Sequence, residues 1–198
     1  MPIINAPLVY SEASQAKINE KVADENYSHR DWSSPDLEGV RCEIRDYYRN
    51  VQRLQCVYCL GAVAVRSAAG APVEHIVPKS QYLNFMFEPK NLCVVCPDCN
   101  EYKSKKEVFD PILVAPRVNY PLMSRAFRIV HPHFDEYGDH ILKSNRVYVG
   151  CTDKGGYTVY ICNLNRFFTR FGRCDEFVDD AELVQKSELF FEEGRVDL

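Results

Sequence analysis

Apolar residues recur every three or four positions from Leu37 onward. Leu37, Val40, Ile44, Tyr47, Val51 and Leu54 fall on one face of a helix. Ser34 precedes them as the expected N-cap. Pro35 suits the first turn, and Asp36 and Glu38 lie near the positive helix end. The spacing predicts a helix over 34–54, and a weaker pattern predicts another over 14–25, after a short apolar piece at 2–10. The polar link NYSHRDWSS shows no chemistry of its own; His29 reads as a surface histidine and Trp32 as a packing residue. The period then shortens to two. Val73-Glu74-His75-Ile76-Val77 alternates like a half-buried strand and Pro78 ends it, while Asn91-Leu92-Cys93-Val94-Val95 reads as a second, buried strand. The small, glycine-containing stretch 63–71 reads as a hairpin turn. The loop 79–90 carries Tyr82, Phe85, Met86 and Phe87, which read as packing rather than as a substrate wedge.

Beyond residue 107 several prolines predict an extended connection, followed by a short strand over 126–130. Arg146-Val147-Tyr148-Val149 and Tyr157-Thr158-Val159-Tyr160-Ile161 read as paired strands about an Asp153-Lys154-Gly155-Gly156 turn. A helix over 163–173 is expected to put Leu164, Phe167, Phe168 and Phe171 on one face and Arg166, Arg170 and Arg173 on the other. The acidic end predicts a helix over 179–193, with Phe190 and Phe191 suited to docking. The fold class is therefore α+β. It divides into an N-terminal helical arm (1–55), a small core (56–110) and a C-terminal hairpin-plus-helices extension (111–198) able to dock a partner.

Composition changes little in this picture. No run of eighteen apolar residues exists and the N-terminus lacks a secretory pattern, so a cytoplasmic protein with no membrane span is expected. The net charge is −4, yet residues 175–198 hold nine acidic and two basic residues, a net of −7, which leaves +3 on the rest. A local basic patch is thus compatible with an acidic total. Arg41, Arg45, Arg49 and Arg53 recur every four residues, as either a solvated stripe or a phosphate-contacting face.

The cysteines add chemistry. Among nine cysteines, Cys56-Val57-Tyr58-Cys59 is one C-x-x-C pair, and Cys93, Cys96 and Cys99 form two overlapping ones. Cys93 lies in the buried strand, where a thiol behaves as a small apolar group. Cys96-Pro97-Asp98-Cys99 reads as a knuckle opening a helix. The expected structural Zn²⁺ ligands are therefore Cys56, Cys59, Cys96 and Cys99. Cys42, Cys93, Cys151, Cys162 and Cys174 remain as free, mostly buried thiols. His131, His133, Asp135, Asp139 and His140 lack a fixed ligand spacing and read as a polar loop before a second metal site.

The series Glu74-His75-Ile76-x-Pro78, Asn91-Leu92 and Cys96-x-x-Cys99-Asn100-x-x-Lys103 resembles the HNH endonuclease family, over residues 56–106. The resemblance implies a ββα-metal core with a zinc knuckle pair. It implies that His75 is the general base, that Glu74 and Asn100 hold a catalytic Mg²⁺ or Mn²⁺, and that Asn91 pins the loop and orients His75. Many members have histidine where this chain has Asn100, so weak metal binding is expected. Lys79, Lys103, Lys105, Lys106, Arg166 and Arg170 are the candidate nucleic-acid contacts, with DNA expected before RNA. Residues 107–173, with Cys162-Asn163-Leu164-Asn165-Arg166, more loosely resemble the HNH subunits of Septu-type anti-phage defence systems, which implies an ATPase partner subunit. The alternative is a non-catalytic zinc module that binds nucleic acid or protein.

Overall fold

A computed structural model describes residues 3–110 and 118–172. The expected acidic helix at 179–193, with Phe190 and Phe191, lies outside the described residues, as do Arg173 and Cys174. The molecule mixes helices with two small sheets, as an α+β chain should.

Helix α1 spans Glu12–Val22, and the Ser11 hydroxyl caps it by accepting from the Ser14 amide. Glu43 of the next helix accepts from the Ser11 amide and hydroxyl at 2.7 and 2.8 Å, tying the two helices together. A 3₁₀ turn over Pro35–Leu37 leads into α2, Glu38–Val51. Ser34 is not its cap, because its hydroxyl donates to the Asp31 carbonyl instead. Leu37, Val40, Ile44 and Tyr48 form the buried stripe. Tyr48 takes the place expected of Tyr47, and its hydroxyl donates to the Pro89 carbonyl at 2.5 Å.

Strands β1 (Val73–His75) and β2 (Leu92–Val94) pair antiparallel, with Glu74 opposite Cys93 and His75 opposite Leu92. Beyond the end of α2, Gln52 extends this sheet with its side chain. Its amide donates to the Val94 carbonyl at 2.7 Å and its oxygen accepts from the Val94 amide at 2.8 Å. Helix α3, Pro97–Lys103, follows directly, with Cys96 as its cap and Pro97 in the first turn. The order is strand, loop, strand, helix. Phe85 and Met86 of the loop are buried, in line with packing.

The C-terminal part departs from the sequence reading. No strand forms over 126–130. A 3₁₀ turn at Ser124–Ala126 and one isolated bridge, Phe109 to Phe127, replace it. The Val130 amide is taken by the Thr158 hydroxyl, so no ladder can continue there. A four-residue helix, α4 (Tyr137–His140), leads to a hairpin of β3 (Ile141–Ser144) and β4 (Val147–Gly150). Asn145 turns it with φ of 49°.

The second expected strand is a helix, α5 (Asp153–Ile161). Thr152 caps it by accepting from the Gly155 amide at 3.1 Å, which makes Thr-Asp a helix start rather than a hairpin tip. Gly155 is needed because a Cβ there would collide with the His140 carbonyl. Helix α6 (Arg166–Phe171) has no fully buried residue: Phe168 packs against Val147 and Val149, while Phe171 is 61 % exposed, so the expected apolar face is covered only in part. Leu164 is buried, but it lies ahead of the helix. One hydrophobic core nonetheless draws on all three parts, from Ile4 and Ile44 through Ile76 to Phe127, Ile161 and Leu164.

No described helix is long and apolar enough to cross a membrane.

Candidate functional site

Two segments meet to form the cysteine cluster. After α2 the chain turns through Leu60 at φ of 54°, and the Cys56 amide donates to the Gly61 carbonyl at 2.8 Å. This curl carries Cys56 and Cys59. Cys96 and Cys99 come from the start of α3, where the Cys96 sulfur accepts from the Cys99 amide. All four sulfurs lie within 4.8 Å of one another, and those of Cys59 and Cys96 are 3.7 Å apart. A tetrahedral zinc with four thiolates sets its sulfurs about 3.8 Å apart. The donor set therefore fits Zn²⁺, and Cys93 stays outside it, buried in β2. Neighbouring sulfurs hold Cys59 low and bring Cys96 down to about 7, while burial raises Cys56 and the neighbouring sulfurs, then burial, raise Cys99. The thiols thus share protons that a metal would displace.

Arg166 belongs to this cluster. Its guanidinium nitrogens lie 3.8 Å from the Cys96 and Cys99 sulfurs, and its Nε donates to Asp98 at 3.1 Å. Arg166, expected as a nucleic-acid contact, is here already engaged by the Cys96 and Cys99 sulfurs and by Asp98. Arg170, by contrast, is exposed.

A cleft of about 420 Å³ is lined by Glu74, His75, Asn100, Lys79 and Lys105, with Trp32, Arg41 and Arg45 among the remaining walls. Its charged lining is four cations against one carboxylate. His75 is buried, and its Nε2 lies 3.1 Å from the Met86 carbonyl. A carbonyl only accepts, so Nε2 carries the proton and the neutral ring keeps its lone pair on Nδ1. Burial, then the Lys79 charge, pushes the His75 pKa well below its usual value, so the ring is neutral at pH 7.

Asn91 reaches the site only through the backbone. It is fully buried; its oxygen accepts from the Val77 amide, and its nitrogen donates to the Val77 and Phe85 carbonyls. It thereby fixes both ends of the loop whose Met86 carbonyl orients His75. Replacing Asn91 with alanine should lower stability by about 2–4 kcal/mol, because it strands buried backbone groups. Urea unfolding should show a lower midpoint with an unchanged slope.

Lys103 departs from expectation. It is fully buried, its Nζ is 2.5 Å from Glu74 Oε1, and it donates to the His75 carbonyl at 3.1 Å. It steadies β1 and cannot meet a phosphate from there. Burial raises the Glu74 pKa and Lys103 opposes that rise. Lys105 stays exposed on the cleft, whereas Lys106 donates to the Ile161 carbonyl.

Trp32 is the wall residue whose role the sequence reading missed. Its ring meets His75 edge-on, with centroids 4.4 Å apart, and Lys79 lies 6.0 Å from its centre. A capping box between Ser28 and Asp31 holds its short turn, and Arg41 bonds its carbonyl. The Ser-x-x-Asp spacing was the available signal.

The histidine-rich segment does not gather as ligands. His131 Nε2 pairs with the Tyr120 hydroxyl at 2.8 Å, His133 Nε2 with the Leu92 carbonyl, and His140 Nδ1 with the Thr152 hydroxyl. Among the described residues, the four cysteines form the group suited to a metal. Burial lowers the pKa of His131 well below normal and that of His133 to about 4. The unfolded chain then binds more protons below pH 6.5. Stability should be full above that pH and fall as pH drops from about 6.5 toward 4, most simply read as melting temperature against pH. A flat profile across that window would refute the assignment.

No protein-family model matches this chain, and no curated protein matches it.

Proposed function

We propose that the protein is a metal-dependent HNH-type nuclease that hydrolyses phosphodiester bonds in nucleic acid, DNA before RNA. The observation that carries this reading is His75: a neutral imidazole whose Nε2 is committed to the Met86 carbonyl, in a cleft with Arg41, Arg45, Lys79 and Lys105 on its walls. Such a group can take a proton at Nδ1 from a water attacking phosphorus. Lys79 and Lys105 hold the phosphates beside it. Trp32 and the Asn91-pinned loop keep the ring in place and limit water around it.

Glu74 and Asn100 line the same cleft, and Glu74 has Oε1 engaged by Lys103. Its other oxygen and the Asn100 amide are a thin but suitable donor set for a hard ion that takes most ligands from water and phosphate. When bound, Mg²⁺ or Mn²⁺ would offset charge on the phosphate and the departing 3′ oxygen. The expected products carry 5′-phosphate and 3′-hydroxyl ends. The net charge of −4 supports delivery of substrate by a partner, and the looser Septu likeness suggests an ATPase subunit in anti-phage defence.

A second reading, a non-catalytic zinc module that binds nucleic acid or protein, draws support from the Glu74–Lys103 pair, which already neutralises the carboxylate. Supercoiled plasmid incubated with Mg²⁺ or Mn²⁺ separates the two. Nicking that stops when the added ion is withheld supports the nuclease. Intact plasmid under every metal, with and without co-expressed neighbours, supports the module.

A further inference from the structure

The arginines of α2 differ in how well they are satisfied. Arg41 bonds the Trp32 and Ser34 carbonyls and Glu38. Arg49 bonds the Ser67 carbonyl at 2.7 Å and Asp46 at 3.3 Å. Arg45 sits between them with poorer company. Its Nη1 is 3.9 Å from Glu38, and its nearest acceptor is the Cys42 thiol at 3.7 Å. Its Nε is buried with no partner, as is that of Arg49, but Arg49 has two close acceptors for its terminal nitrogens and Arg45 has none so close. Its side chain is only 10 % exposed, and it lines the cleft that Glu74 and His75 also line.

Burying a permanent charge without a matched anion is unfavourable, and a guanidinium cannot escape by losing its proton. An arginine held this way at a cleft wall is suited to an anion from outside. The cleft says which kind: its other cations, Arg41, Lys79 and Lys105, favour a polyanion over a lone carboxylate. The planar fork of arginine matches two oxygens of one phosphate.

We propose that Arg45 is the phosphate-recognition residue of this cleft, gripping the non-bridging oxygens of a DNA backbone phosphate next to the one presented to His75. The proposal rests on the nuclease reading and deepens it. Arg45 acts by binding and positioning; it transfers no proton. Arg53, which is exposed and not part of the cleft lining, supplies the matched control on the same run of arginines.

The test uses the full zinc-loaded chain and a labelled DNA duplex, with anisotropy read over a salt series and no added divalent ion. Arg45→Met should weaken binding by about thirtyfold or more. It should also reduce the salt slope by about one. Arg53→Met removes the same charge and should leave affinity within about twofold, as expected for an exposed contact. Arg45→Lys keeps the charge without the fork and should also bind weakly. Zinc content and melting report folding for each variant, and the lysine variant decides if the methionine variant fails to fold. Equal losses in Arg45→Met and Arg53→Met would overturn the proposal. So would unchanged binding in Arg45→Lys, or no duplex binding by the wild type. Plasmid nicking that Arg45→Met leaves untouched would sink this proposal and keep the nuclease. Arg45-dependent binding without nicking would do the reverse.

Discussion

His75→Ala is expected to lower the rate of plasmid nicking by about 10²–10⁴-fold, the usual contribution of a positioned general base. Zinc content should be unchanged, because His75 lines the cleft and none of the four clustered cysteines does. The ring also fills space against Trp32, so some stability will be lost. His75→Gln retains bulk and polarity without an imidazole and should be equally slow. The pH profile makes the assignment sharper. Burial holds the His75 pKa down, so the base form persists below pH 6.5 and is lost only as protons are added at lower pH. The acid limb of kcat/KM should therefore lie below that of a free histidine, and should vanish from the residual activity of His75→Ala. Equal nicking by wild type and variant would remove His75 from the mechanism.

Stripping the zinc, or replacing Cys99 with serine, is expected to unfold the region around α3. A structural four-thiolate zinc contributes an apparent ~10–16 kcal/mol at neutral pH. A domain's whole stability is about 5–15 kcal/mol, so little would remain without the metal. Local structure points the same way. The curl carrying Cys56 and Cys59 has no regular secondary structure, only a bridge from Gln55 to Ala62. Without the ion, sulfurs held within 4.8 Å would have to stay protonated or repel one another. Treatment with a mercurial and a chromogenic chelator should release about one zinc per chain, as a four-thiolate site implies. Circular dichroism should show the melting transition collapse in step with that release. A native-like melt in the zinc-free protein would refute a structural metal.

The pattern around β1, β2 and α3 was legible because it is local. Period-two strands, a proline stop and paired C-x-x-C turns each declare themselves within a few residues, and the choice of Cys96 and Cys99 over Cys93 agrees with the cluster. What was not legible depended on distant neighbours. Tyr157 to Ile161 alternates like a strand, yet Thr152 caps a helix there and Gly155 lets it lie on the His140 carbonyl. Lys103 and Arg166 looked like surface cations because a sequence shows charge but not what the charge meets. One found Glu74 inside the protein, and the other found the Cys96 and Cys99 sulfurs. Trp32 and Arg45 were written in a linker and a helix stripe, far along the chain from the cleft they wall.

Two tyrosine hydroxyls of the C-terminal part, those of Tyr137 and Tyr148, donate to the Tyr58 and Cys59 carbonyls at 2.9 and 2.6 Å. These are the carbonyls of the curl between the first two cysteines. In a smaller, self-sufficient knuckle they would face water. Here they are claimed by residues 79 and 89 positions further along the chain. The knuckle is therefore not a portable module. A recombination event or a designed graft that carried it alone would arrive with its turn unsupported, so the knuckle and the hairpin behind it have to be inherited together.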